Sequence, residues 1–456
     1  MKTYRASRVD SDIEGLTKPD DRFAFFLFVF YLISFFLRLP ARFSVLGIIR
    51  ADIILVLGIL FLILKASTGR DNWIDSTSRY LVAILVFSFI SLPLVEWPGS
   101  VINEGIVNFI KGVIFYFFTV NLVRDVKRLK IVLLVFVSCN LVRIVEPLIL
   151  NLTTGYLGSE TYLGGGSFAG RLSGAPSDVI NPNGLAFLIA TVFPFLHYVF
   201  APINKKSLIV YFFLIPVLLY TMGLTLSRSG VLALGIIAFG VWWKSTHKLL
   251  LIVLGVIGVT VIFLNLNDVQ KDRYLSIVST DARQSASAQG RIEGWSEDFK
   301  VAMNRPIIGH GLGTSREANW NVAGKDQISH ILWMEIWQEI GLIGLVLFIL
   351  YLSAMIRNFQ EASKLIKEKL STDDFLYRSC QAMQVWLLMN LLFSLASYGL
   401  KSYEWYLFGG LSVVLLKVAR MRVAELLEYE SNMEPKKQVA VQPSWRFGLA
   451  RRINRF

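Results

Sequence analysis

The sequence predicts an all-α integral-membrane protein, a polytopic inner-membrane bundle of about twelve spans with a large periplasmic loop containing amphipathic helices. Three observations carry this. Hydrophobic residues make up 54% of the 456-residue chain and charged residues 17%, with a mean hydropathy of +0.54; a soluble domain carries about 25% charge. Apolar runs recur along the whole chain, each about 17–25 residues long and able to cross roughly 30 Å of hydrocarbon as a helix. Lys and Arg collect in alternate connections, which is how membrane orientation is written into a sequence. Because backbone groups in lipid are satisfied only inside helices or closed barrels, residues 1–456 are expected to form one integral-membrane domain.

The expected spans fall near residues 23–39, 51–65, 80–95, 104–122, 130–149, 183–201, 208–225, 229–243, 248–265, 331–355, 380–398 and 404–419. The first begins at Phe23, too late and too long for a cleaved signal peptide, so it is expected to be retained. The net charge is +13. Its basic residues lie in the segment 1–22 (Lys2, Arg5, Arg8, Lys18, Arg22), then at Lys65 and Arg70, at Arg124, Lys127, Arg128 and Lys130, and at Lys205 and Lys206. Lys244, Lys248, Lys364, Lys367, Lys369 and the basic tail 420–456 complete the set. With twelve spans all of these share one side, which the positive-inside rule makes cytoplasmic, both termini included. Arg38, Arg42, Arg50 and Lys401 are exceptions in short outer connections. The periplasmic side then receives two long segments, 150–182 and 266–330. Cys139 and Cys380 both fall in spans, and no metal-ligand spacing is present.

The second long segment has a pattern of its own. In "GRIEGWSEDFKVAMNRP", Ile292, Trp295, Phe299 and Met303 mark one face of an amphipathic helix, ended near Asn304–Pro306. "PIIGHGLG" follows, with glycines at 309, 311 and 313. Such a segment is able to lie against the outer ends of the spans and roof a cavity.

Arg228 is the most informative charge. It stands in "TLSRSG", between two spans that leave almost no loop. A guanidinium there either snorkels to lipid phosphate or is paired, since it is costly near hydrocarbon. Arg171 in "AGRLSGAPSDVINPNG" and Arg291 in "QGRIEGW" lie in the two long outer segments, solvated if taken singly. A guanidinium holds phosphate oxygens in a bidentate fork, and three on one cavity would suit a pyrophosphate. Asn183 and Ser227 stand beside them as supporting candidates. No Walker-type loop is present, and "GHGLG" does not follow a strand.

His330, at the head of the tenth span, is either an interfacial residue or a general base. The reference imidazole titrates near about 6.5, and a helix N-terminus disfavours its charged form. Glu335 and Glu339, at about 100° per residue, point roughly 140° and 180° away from it and read as packing or hydrogen-bonding groups. His310 is the rival base, with surface exposure expected from its turn; Asp326 is the next acidic candidate. His197 and His247 belong to the cytoplasmic half. Asp52, Lys111, Arg143 and Glu146 are candidates for ion pairs near span ends.

In order along the chain, "RLSG…NPNGLA", "TLSRSG", "GRIEGW…RPIIGHGLG" and a histidine followed by "GLIG" resemble the bacterial O-antigen ligases and O-antigen or exopolysaccharide polymerases. The resemblance covers residues 171–344. It implies a metal-independent glycosyltransferase with no cofactor, whose donor is a glycan on undecaprenyl pyrophosphate at the outer face of the inner membrane. It further implies that Arg171, Arg228 and Arg291 hold the pyrophosphate and that His330 deprotonates the acceptor hydroxyl. Ile331 follows the histidine where ligases place Asn, Ser or Gln, which favours a polymerase joining repeat units over a ligase acting on lipid A-core. Its partners would be the lipid-linked donor, a glycan or lipid A-core acceptor and membrane lipids, with no nucleic acid. The alternative class is a transporter of a lipid-linked glycan or small anion, whose site would lie at the membrane midplane.

Overall fold

The computed structural model describes residues 19–67, 75–164, 167–245, 286–329, 331–372, 374–395 and 399–438, with scattered positions between 248 and 271. Among the described residues, thirteen helices reach eight residues or more. The first eight are α1 (Pro19–Phe36), α2 (Ala51–Ser67), α3 (Ser76–Ile90), α4 (Pro98–Leu122), α5 (Val126–Thr154), α6 (Pro182–Ile203), α7 (Lys205–Leu224) and α8 (Arg228–Lys244). Outside the apolar runs lie α9 (Ala286–Asn304) and α10 (Ser315–Ala323). The chain then forms α11 (Leu332–Lys369), α12 (Phe375–Phe393) and α13 (Tyr403–Gln438). Helices thus occur at eleven of the expected spans, while 248–265 lies largely outside the described residues. Five of them, α4, α5, α6, α7 and α11, are long and apolar enough to cross a membrane.

Six helix starts are fixed by a side chain that accepts an N–H of the first turn: Asp75, Asp125, Asn181, Asn204, Ser227 and Asp374. Two helices outrun their apolar stretch. α11 continues to Lys369 and α13 to Gln438, so the segment from 420 begins as helix. In α11 the added turns end in Lys367 and Lys369, cations that suit a helix C-terminus.

α13 is the centre of the bundle, packed on both α4 and α11. Small residues allow the close approach. A Cβ on Gly409 would stand 1.9 Å from the Tyr351 hydroxyl, which itself donates to the Trp405 carbonyl at 2.9 Å. Trp386 of α12 stacks on Phe408 at 3.6 Å.

Two departures from plain helix shape the face described below. The segment after α5 forms an antiparallel hairpin, β1 (Gly158–Gly164) with β2 (Ser167–Leu172), in which Ser159 faces Arg171. The all-α expectation therefore holds for the bundle and not for this segment. Second, α11 is broken at Ile340 (φ −123°, ψ 15°) and Gly341 (φ 65°, ψ −172°). The backbone groups released there are taken by residues 306–311. His310 and Gly311 donate to the Gln338 and Glu339 carbonyls at 2.8 and 2.9 Å, and Leu342 donates to the Pro306 carbonyl at 2.8 Å. A break at membrane depth is tolerated only where protein satisfies it in this way. The "GHGLG" and "GLIG" stretches are thus two halves of one clasp. Its other wall is α4, where a Cβ on Gly105 would meet the Leu312 carbonyl at 1.9 Å.

Candidate functional site: converging helix ends at one face

Direct contacts tie together the ends of α1, α5, α7 and α12 and the connection after α3 with the starts of α4, α6, α8, α11 and α13. This is the face that carries the hairpin, α9 and α10. At the opposite face, Arg124 and Arg128 of the α4–α5 connection bind Asp21 at 3.0 and 3.1 Å.

Arg171 is buried at the end of β2. Its Nε donates to the Thr225 carbonyl and its Nη2 to Asn183 Oδ1, each at 2.8 Å. Asn183 Oδ1 also accepts from Ser227 Oγ at 3.0 Å, and Ser227 in turn caps α8 by accepting from the Gly230 N–H. Arg228 is the first residue of α8 and is half-buried. The sequence candidates Arg171, Asn183, Ser227 and Arg228 are therefore brought together, where α6 and α8 both present their N-terminal, positive ends. Such ends attract anions, and two guanidinium groups add to that field. The backbone here is strained: Leu226 has φ 48° and Val179 φ 49°, left-handed values that are uncommon for non-glycine residues and tend to mark functional sites.

His330 itself lies outside the described residues, while both its chain neighbours are fixed and buried. Ser329 donates to Asp298 Oδ2 of α9 at 2.8 Å. Gln338 donates to the same carboxylate at 3.1 Å and to Asn319 Oδ1 of α10 at 3.2 Å. The Leu332 N–H bonds the Ser394 carbonyl at the end of α12, and the adjacent Phe393 packs on Phe187 of α6 at 4.8 Å. Phe187 sits one helical turn after Asn183. The end of α12 thus joins the arginine cluster to the chain that carries His330. Arg291 belongs to α9, and its side chain lies outside the described residues.

His310 is not the exposed turn residue expected from its glycines. It is fully buried and stacks on Trp97. Nε2 faces the Val301 carbonyl at 3.0 Å and Nδ1 faces Glu96 Oε2 at 2.6 Å. Both nitrogens face protein acceptors and neither is turned towards a substrate, so the ring reads as a structural pin that ties the α3–α4 connection to α9. Asp326 is exposed and held by Arg316 at 2.5 and 2.8 Å; this pairing depresses its carboxyl below the usual range and makes it a poor base. His197 bonds the Tyr211 hydroxyl at 2.9 Å between α6 and α7, and His247 lies outside the described residues.

Three of the outer-connection cations, Arg38, Arg42 and Lys401, meet acids. Arg42 forks onto Glu146, which holds its guanidinium pKa above the ordinary value. Arg143 forks onto buried Asp178 at 2.8 and 3.1 Å, with Arg38 3.8 Å from the same carboxylate. Lys401 stands 3.8 Å from Glu339, whose other oxygen accepts the Gly313 N–H at 2.7 Å. Glu335 accepts the Gly399 and Leu400 N–H groups at 2.7 and 2.9 Å, so both glutamates are hydrogen-bonding groups as the helical spacing implied. Sequence reasoning missed Asp178 and Asp298. The available signal for Asp178 was Arg143, an ion-pair candidate in a span that needs a carboxylate from a neighbouring segment.

Fold and site together define a multi-pass membrane protein in which Arg171, Asn183, Ser227 and Arg228 gather at one face. Over residues 186–349 the chain matches the family model described as O-antigen ligase, so the resemblance carried by the motifs is borne out across that stretch. The match takes in Ser227, Arg228, Arg291, His310 and His330, while Arg171 and Asn183 lie just before it. No curated protein matches the chain. The match supports a membrane enzyme of the O-antigen ligase or polymerase type.

Proposed function

We propose that the protein transfers or polymerises glycans carried on undecaprenyl pyrophosphate, at the periplasmic face of the inner membrane, with both termini cytoplasmic. The observation that carries this is the Arg171–Asn183–Ser227 network beside Arg228, joined through the end of α12 to the chain bearing His330. In this reading the arginines, Arg291 included, hold the pyrophosphate. His330 takes the proton of the acceptor hydroxyl, and that oxygen attacks the anomeric carbon. The bond from anomeric carbon to phosphate breaks, and the leaving pyrophosphate keeps the electron pair. Charge held by fixed donors lowers the barrier to that departure. Ile331 follows the histidine where the ligases that the sequence resembles place Asn, Ser or Gln, and on that ground polymerisation of repeat units is favoured over transfer to lipid A-core. The broken α11 would suit a transporter, but its released backbone groups are already taken by residues 306–311.

Arg228→Lys keeps the charge and loses the fork, so transfer is expected to fall by tenfold or more, about 1.4 kcal/mol, with normal insertion. The measurement is turnover of a lipid-pyrophosphate glycan by purified protein in the presence of a chelator. Parental turnover in the lysine variant would sink pyrophosphate binding at this position. A ladder of repeats marks a polymerase, and conjugates of lipid A-core mark a ligase. Orientation is checked separately. A cysteine at Glu160 should react with an impermeant thiol reagent applied from the periplasm, and one at Lys205 should be protected; the reverse pattern would invert the assignment of faces.

A further inference from the structure

α9 divides lengthwise into three strips. Gly294, Asp298, Val301 and Ala302 are buried against the protein. At about 100° per residue, the next strip is Trp295, Phe299 and Met303, exposed by 42%, 45% and 48%. Beyond it lie Ser296, Lys300 and Asn304, exposed and polar. The sequence pattern foretold the apolar strip, but the helix buries its smaller residues against the protein and leaves the large ones about half exposed, Phe299 resting edge-on against Trp337 of α11 at 5.7 Å. The strip does not end with the helix. It runs on through Ile307, 61% exposed, whose carbonyl accepts the N–H of Ile343 at 3.4 Å. Ile343 continues along α11 into Leu342, Val346 and Ile349, all exposed on a helix apolar enough to span a membrane.

We propose that α9 is an in-plane membrane helix, with Trp295, Phe299 and Met303 seated in the acyl–headgroup boundary of the leaflet that surrounds the start of α11. The occupant is lipid because the uncovered strip is continuous with the lipid-facing side of a span, and because a helix with adjoining protein, apolar and polar strips meets three media at once. Trp and Phe favour that depth, and an apolar helical face buried there by several ångströms binds in the plane of the membrane. Lys300 on the polar strip is placed to reach headgroup phosphate. The seating fixes the helix that carries Arg291 and, through Asp298, the chain before His330, yet it stands whatever reaction the protein performs.

The test is a set of single nitroxide labels at residues 295, 296, 299, 300 and 303 on the full chain in lipid nanodiscs. Accessibility to oxygen, which partitions into lipid, is compared with that to a water-soluble nickel chelate. Labels at 295, 299 and 303 are expected to favour oxygen several-fold over those at 296 and 300. Equal accessibility to nickel at all five positions, or exclusion of both reagents from 299 and 303, overturns the proposal; the second result would place a protein partner on the strip.

Discussion

Replacing His330 with alanine is expected to lower glycan transfer by about 10²–10⁴-fold, the usual contribution of a positioned general base. Donor binding should survive, because the arginines and not the histidine are proposed to hold the pyrophosphate. Lipid-linked repeat units should therefore accumulate unconsumed. The contrast is His310→Ala. His310 is pinned by Glu96 and Val301 through both ring nitrogens, so its loss should reduce the folded fraction while turnover per folded molecule stays within a few-fold. Purified protein, a lipid-pyrophosphate glycan, an acceptor and binding measured alongside turnover separate the two. Near-normal transfer by His330→Ala would remove the base from this residue, and Asp326, already clasped by Arg316, is a weak successor.

The second large effect is on stability. Gly341 adopts φ 65° and ψ −172°, backbone angles that essentially only glycine accepts, and a Cβ there would stand 2.1 Å from the Ile307 carbonyl oxygen. Gly341→Ala carries strain of order 1–3 kcal/mol and pushes out the loop that satisfies the break. Each lost hydrogen bond then adds about 1 kcal/mol, more where the released group stays buried. A marked fall in melting temperature in detergent is expected. Gly235, within α8 and with nothing within 4 Å of its added Cβ, is the control, and Gly235→Ala should be neutral or mildly stabilising. Equal melting of the two variants would show that the clasp contributes little.

What was legible in the sequence follows from what each signal measures. Apolar run length locates helices because lipid demands it, and charge at a span end such as Arg228 is informative because it is expensive there. The grouping of Arg171, Asn183, Ser227 and Arg228 was foreseeable for that reason. The hairpin was not, since a glycine-rich segment has no period until its two arms pair. His310 was misjudged because glycines read as a surface turn, whereas Gly309, Gly311 and Gly313 are there to let backbone approach α4 and α11 closely. The apolar period of α9 was read correctly, but periodicity alone does not say whether an apolar face meets protein or lipid. The break in α11 was hidden because one glycine in an apolar run looks tolerable in any helix.

Asp178 lies between Arg143 and Arg38, and all three are in place within the first 180 residues of the chain. A lone arginine on α5 would be costly in a membrane, and the carboxylate that answers it arrives in the connection immediately following that helix. The ion cluster can therefore close during synthesis, before α6 is complete, and it joins α1 to α5 without waiting for the second half of the chain. The central helix α13 comes last of all. Assembly thus has a built-in order, an early electrostatic closure at the amino-terminal side followed by the late entry of the helix around which the rest is packed.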